Sequence, residues 1–251
     1  MKRTALFLTV FLFAVQAFAH FQVLMPETDV VTPKKKSIMF NMLFTHPFEQ
    51  GPVMEMVKPK AADVYFKGKK ESIMPLLKQK KVEGKSAWDF AYTFKKPGDY
   101  IFTVTPDYYF EPAEETFIQH ITKVVVNGFG MEEGWDAPVG LKAEIVPLTR
   151  PYGLWKGNVF TGQVLYKGKP VAGAEVEVEL YNTKKLHAPT DAHITQVVKA
   201  DKNGVFSYAM PYDGWWGFAA LIEDDVTIKK DGKAYPVELG ALIWVKAYGE
   251  K

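Results

Sequence analysis

Three histidines stand where side chains with donor nitrogens could act together, and the first depends on processing. His20 follows Ala17-Phe18-Ala19, a small-x-small ending. Ahead of it lie a basic start (Lys2, Arg3) and an apolar run from Ala5 to Val15. This is the three-part layout of a secretory signal peptide, and the run is too short to span a bilayer. Cleavage after Ala19 would make His20 the first residue of the mature chain. A histidine there offers two donors, because its α-amine and Nδ1 can close a chelate ring on one ion. An unperturbed amine has a pKa near ~8 and an imidazole near ~6.5, so both are available for coordination close to neutral pH. Nitrogen donors of this kind suit Ni(II), Co(II) and Cu(II).

His46 lies in FNMLFTHPFEQGPVMEM, just beyond a strand, with Glu49 and Met54 following in the same loop. Pro47 and the Gly51-Pro52 pair keep that loop out of regular structure, which lets its side chains converge at a sheet end. His120 lies in ETFIQHITK, where alternation puts Ile118, His120 and Thr122 on one face and Phe117, Gln119, Ile121 and Lys123 on the other. A lone histidine on such a strand is more often a hydrogen-bonded core residue than a ligand. Glu49, Met54 and Glu115 rank below the three histidines, as further ligands or as groups that orient an imidazole. His187 and His193, in YNTKKLHAPTDAH, read as solvated loop residues.

The elements that must position these residues read as strands. Short runs rich in Val, Ile, Phe and Tyr alternate with Gly, Pro, Asn and Asp clusters, and no long helical period occurs. Expected strands of the first half include 21–24, 36–43, 62–66, 88–94, 99–106 and 117–126. A Gly/Pro-rich connection around 128–151 separates them from a second series. The reading is all-β, with two β-sandwich domains in tandem after a cleaved signal peptide: 1–19 signal peptide, 20–147 a metal-binding sandwich, and 148–251 a second sandwich. The aromatic stretch Tyr212 to Phe218 can be read as a carbohydrate platform, but reads better as interdomain packing where glycine lets backbones approach. The lysine runs 34–36 and 78–81 read as solvated edges or turns.

Composition excludes several classes. An apolar content of 47% and an aromatic content of 14% supply packed cores and rule against disorder. Removing Lys2 and Arg3 from the 31 basic residues leaves 29, equal to the 29 acidic ones, so the mature chain is formally neutral. That balance gives no electrostatic footprint for nucleic acid or an anionic membrane. The chain has no cysteine, which excludes thiol catalysis and a lipid-anchoring cysteine. No nucleophile elbow, phosphate-binding loop, dinucleotide fingerprint or HExxH helix is present. A bacterial periplasm is the expected location.

Two resemblances add to this. Gly157 to about Leu221, with its KGKPVAGAEV and DKNGVF segments, is similar to the transthyretin-like or carboxypeptidase-regulatory-like sandwich, a likeness that implies a fold and no chemistry. HFQVLMP, THPFEQGPVMEMVKP, IQHITK and EIVPLTRPYGLWKGNVFTGQVLYKGKPVAGAEVEVELYN together resemble an exported domain-of-unknown-function family associated with nickel and cobalt ATP-driven uptake. The resemblance implies a non-catalytic periplasmic component that captures Ni(II) or Co(II) for a membrane uptake transporter. It implies His20, His46 and His120 as the metal set. Two other functions fit the same residues: a copper-binding chaperone or histidine-brace oxygenase, and a metal-free structural or adhesive module in which the histidines lie far apart.

Overall fold

The structure, a computed structural model, describes residues 20–250; the expected signal peptide lies outside the described residues. Nineteen strands were delimited within it. The first ten are β1 (Phe21–Pro26), β2 (Val30–Val31), β3 (Ser37–Thr45), β4 (Ala61–Phe66), β5 (Lys69–Ser72), β6 (Lys78–Val82), β7 (Lys85–Thr93), β8 (Gly98–Thr105), β9 (Tyr109–Glu111) and β10 (Thr116–Gly128). Then come β11 (Ala143–Pro147), β12 (Leu154–Trp155), β13 (Val159–Tyr166), β14 (Lys169–Pro170), β15 (Glu175–Leu180), β16 (Gln196–Lys199), β17 (Val205–Ala209), β18 (Gly214–Lys230) and β19 (Lys233–Tyr248). The all-β expectation holds, and the described helices are two single 3-10 turns.

Three sheets form three layers. A first sheet, ordered β1-β3-β7-β6, packs on one part of a long central sheet, and a third sheet, β11-β13-β14 with β17 beside β13, packs on another part. The central sheet runs β16-β15-β18-β19-β10-β8-β4-β5. Strands from both halves of the chain therefore share it. The join is the parallel pairing of β10 with β19, in register from Phe117 with Val237 to Val124 with Trp244.

The composition of β18 and β19 follows from this position. A strand covered on both faces must be apolar at successive residues, not at alternate ones. In β19, Leu242 and Trp244 enter the core against the first sheet, while Ala241, Ile243 and Val245 enter the core against the third. The stretch GWWGFAAL in β18 divides in the same way: Trp215 packs against the first core, and Trp216 and Phe218 are buried in the second. The aromatic stretch thus serves packing, as its glycines suggested. Lys78–Val82 forms the edge strand of the first sheet, where lysine discourages pairing with another chain.

Alternation along β10 makes its two faces chemically different. His120, Thr122, Val124 and Val126 are all buried, and the two valines belong to the first core. On the opposite face Lys123 is 1% exposed and donates to Glu144 and to the carbonyl of Ile145 at 3.1 Å. Burial pulls the Lys123 ammonium down from its ordinary pKa, and the Glu144 carboxylate opposes that pull. Glu144 also accepts from the amides of Val139, Gly140 and Leu141, so one carboxylate closes the 139–141 turn onto β10. Removing one partner of a buried, hydrogen-bonded pair leaves the other charge without compensation. E144Q is expected to lower the unfolding free energy by about 3–5 kcal/mol in urea titration; a loss under about 1 kcal/mol would mean that Lys123 reaches water.

Candidate functional site

Strand register brings His20 and His46 together. β1 and β3 are antiparallel with Phe21 opposite Thr45 and Gln22 opposite Phe44. Continued by one residue, that register sets His20 opposite His46 at the end of the ladder. Their rings lie 4.4 Å apart between centroids, tilted by 42°. Two aromatic rings flank His20: Phe44 at 5.6 Å and Tyr109 at 6.0 Å. His46 is 8% exposed and His20 is half-buried.

The loop carrying His46 is held from the other half of the chain. Glu179 of β15 accepts from the amide of Phe48 at 3.3 Å and from the hydroxyl of Thr195, and the amide of Asn182 donates to the carbonyl of Pro47 at 3.2 Å. On the near side, the amide of Gln50 closes a turn onto the carbonyl of His46, and the amide of Met54 bonds the carbonyl of Phe44. His46 is thus fixed between its own sheet and the second sandwich.

His120 approaches from the central sheet. It pairs with Gly240 across the β10–β19 ladder, and its imidazole lies over that glycine. A Cβ on residue 240 would stand 2.4 Å from the His120 Cδ2, so only glycine leaves room for the ring. Phe21 and Phe44 meet the His120 ring edge-on at 6.4 and 6.0 Å. Its Nδ1 is buried with no hydrogen-bond partner. His120 is thus a core residue by burial, with one ring nitrogen left without a partner.

All three histidines thus gather at one end of the first sandwich. His20 and His46 are in ring contact, and His120 stands beyond the rings of Phe21 and Phe44. Among the described residues no group of three or more His, Asp or Glu side chains is arranged to hold a metal ion. Of the lower-ranked candidates, Glu49 is exposed on the His46 loop and Met54 packs against the first core. Glu115 is not brought to the site: its carboxylate pairs with Lys233 at 2.6 Å on the surface. His187 and His193 are exposed, and His193 Nδ1 bonds the hydroxyl of Thr190. Neither joins the cluster.

The electrostatics keep the imidazoles of His20 and His120 neutral. Burial, then the neighbouring His46, holds His20 down to about 4, against a smaller upward pull from the Glu111 carboxylate. Burial, then His20, holds His120 down to about 3. Neutral imidazole is the form that binds a metal. Tyr109 and Glu111, on the short strand β9, escaped notice in the sequence because YFE carries no motif; only its antiparallel pairing with Thr116 to Ile118 brings it here.

Buried carboxylates on β15 and β19 are shifted the other way. Burial raises Glu177 to about 8, reinforced by Glu179 and Glu238, and raises Glu179 and Glu238 to about 7 each. The signs oppose. The unfolded chain takes up protons at His20 and His120 below about pH 6.5, where the folded chain does not, so stability falls on acidification from there. It releases protons from the glutamates above about pH 4.5, which the folded chain retains up to pH 7 to 8, so stability also falls on alkalinisation. Metal-free protein is expected to show its highest denaturation midpoint at about pH 5–6, with E177Q flattening the alkaline limb. A midpoint that rises steadily to pH 8 in the parent would contradict these assignments.

Residues 17–224 match the family model described as "Domain of unknown function (DUF4198)". No curated protein matches the chain. Among solved structures, a bacterial ice-binding adhesin is 8% identical, with a TM-score of 0.26, over 89% of this chain and 61% of that one. The D0-D1 domain of Intimin is 12% identical, with a TM-score of 0.25, over 89% of this chain and 96% of that one. Salmonella alpha-2-macroglobulin reacted with methylamine is 10% identical, with a TM-score of 0.25, over 91% of this chain and 15% of that one. The chain spans less than two thirds of the length of the adhesin and of the macroglobulin. With more than half its length covered by one family model, the chain belongs to the family of the domain of unknown function DUF4198.

Proposed function

We propose that this protein is an exported, non-catalytic metal-binding component that captures a divalent transition metal, Ni(II) or Co(II), for a membrane uptake system. The observation that carries the reading is the contact of His20 with His46 at 4.4 Å, at the residue that cleavage after Ala19 would make the N-terminus. Cleavage would free an α-amine beside the neutral imidazole of His20 and the ring of His46. The pair would then supply three nitrogens from two residues, a donor set suited to Ni(II), Co(II) and Cu(II). His120 is the next nitrogen inward and the fourth candidate donor.

Such a site would be created by export itself, because the uncleaved chain has an amide where the mature chain has an amine. Aromatic walls at Phe44 and Tyr109 limit the room for water around the ion, and Glu111 offers a counter-charge. Protonation of the amine and of the imidazoles would compete with the ion, which couples release to acid or to a transporter's own ligands. Among the described residues no helix is long and apolar enough to cross a membrane; in this reading transport across the bilayer belongs to the partner transporter.

The test is titration of protein verified by mass to begin at His20, with Ni(II), Co(II), Cu(II) and Zn(II), beside a form extended by two residues and an H46A variant. One-site binding is expected, weakened at least about tenfold, equivalent to about 1.4 kcal/mol, in both altered forms. The preferred ion names the cargo, with copper pointing to a chaperone. Equal binding by the extended form, or no binding by any form, would overturn the proposal and favour a metal-free structural module.

A further inference from the structure

Behind the histidines lies a cavity of about 220 Å³ whose wall carries two buried polar side chains without partners. Gln22, 1% exposed, has neither Nε2 nor Oε1 hydrogen-bonded, and His120, 3% exposed, has Nδ1 unbonded. Gln22 is the second residue of β1, and its carbonyl is already used: it accepts from the Trp244 indole at 2.9 Å and from the Thr122 hydroxyl. Only the side chain is left over. An apolar residue there would avoid the cost of a buried, unpaired amide, about 1–3 kcal/mol for each lost partner. A glutamine carrying that cost in the wall of a cavity marks a place where a bound molecule can supply the missing partners.

The rest of the wall says what that is. Phe44, Met56, Val57, Tyr108 and Ile118 give an apolar body to the space. The two acids at its margin are engaged elsewhere: Glu55 accepts from the amide of Ser86 at 3.0 Å, and Asp107 pairs with Lys60 at 2.9 Å. Lys60 also lies 4.1 Å over the ring of Tyr108, so the charges at the mouth are paired, and an anion would lose its hydration on entering the apolar body of the space. The outer wall is braced by Gln119, whose amide donates to the carbonyl of Pro106 at 2.8 Å. A dry cavity of about 150 Å³ already accepts benzene, so this one has room for a ring and a small polar head.

We propose that this cavity is a binding site for a small uncharged organic molecule with a flat apolar body and a head that both donates and accepts hydrogen bonds, of the primary-amide class. The amide of Gln22 pairs with the head in the reciprocal, two-bond manner of two amides, and His120 Nδ1 takes the remaining position. The body lies between Phe44, Met56 and Ile118. The site does not require an ion at His20 and His46; it shares only His120 with the metal reading, and an ion held by the His20–His46 pair alone leaves it open.

Saturation-transfer and titration NMR on mature protein in EDTA, with benzamide, benzoate and toluene as probes, tests it. Benzamide is expected to bind with a dissociation constant of about 1 mM or tighter, benzoate at least tenfold more weakly, and toluene in between. Gln22→Met keeps the shape of the side chain and removes both polar groups. It is expected to weaken benzamide at least tenfold while raising the melting temperature, a combination that a purely structural glutamine would not produce. Val57→Trp, at a residue 55% exposed on the rim, closes the mouth without touching the core and is expected to abolish binding even if the Gln22 variant does not fold. No benzamide binding, benzoate binding as tightly as benzamide, or unchanged affinity in Val57→Trp would overturn the proposal. Because EDTA is present throughout, none of these outcomes bears on Ni(II) binding.

Discussion

The parallel pairing of β10 with β19 is the constraint on which the rest of the molecule depends. Parallel neighbours cannot be joined by a tight turn, and the segment between these two strands contains nearly all of the second sandwich. Their pairing carries the central sheet from one half of the chain into the other, so each core is closed by strands from elsewhere in the sequence. It also sets the ring of His120 over Gly240, and places Lys123 on the reverse face against Glu144. Had residue 240 carried a Cβ, either the ring would leave its position or the ladder would part.

The site inherits its geometry from three such registers. The β1–β3 ladder sets His20 against His46, the β10–β19 ladder fixes His120, and the short β9–β10 pairing brings Tyr109 and Glu111 alongside. The His46 loop gains its anchor from Glu179 and Asn182 of the second half. The second sandwich is therefore part of what holds the site together. Burial of the imidazoles is the chemical consequence: groups walled in by Phe21, Phe44 and Tyr109 cannot charge readily, and they remain in the state that can donate a lone pair.

Much of this was legible in the sequence, for identifiable reasons. Period-two alternation in ETFIQHITK separates the face of His120 from that of Lys123, because strand geometry alone decides it. The continuous apolar run ALIWV signals a strand buried on both sides. Proximity of side chains from distant strands is a different matter. Gln22 reads as an ordinary polar residue in HFQVLMP, and only the cavity and the absence of partners reveal it. Glu115 stands five residues from His120, yet in a strand that separation leads away to the turn and to Lys233. Alternation in AEVEVEL sets Glu179 opposite the valines, and only the fold shows that it is buried where the His46 loop and Thr195 meet it.

Burial and register converge on one end of the first sandwich, where the cleavage proposed after Ala19 would add an amine to the ring nitrogens. The most direct test is a crystal structure of the mature protein soaked with Ni(II), with diffraction recorded on both sides of the nickel absorption edge. One anomalous peak is expected about 2 Å from the amine and Nδ1 of His20 and from a ring nitrogen of His46. A peak confined to surface carboxylates or to His187 and His193, or no peak at the N-terminus, would contradict it.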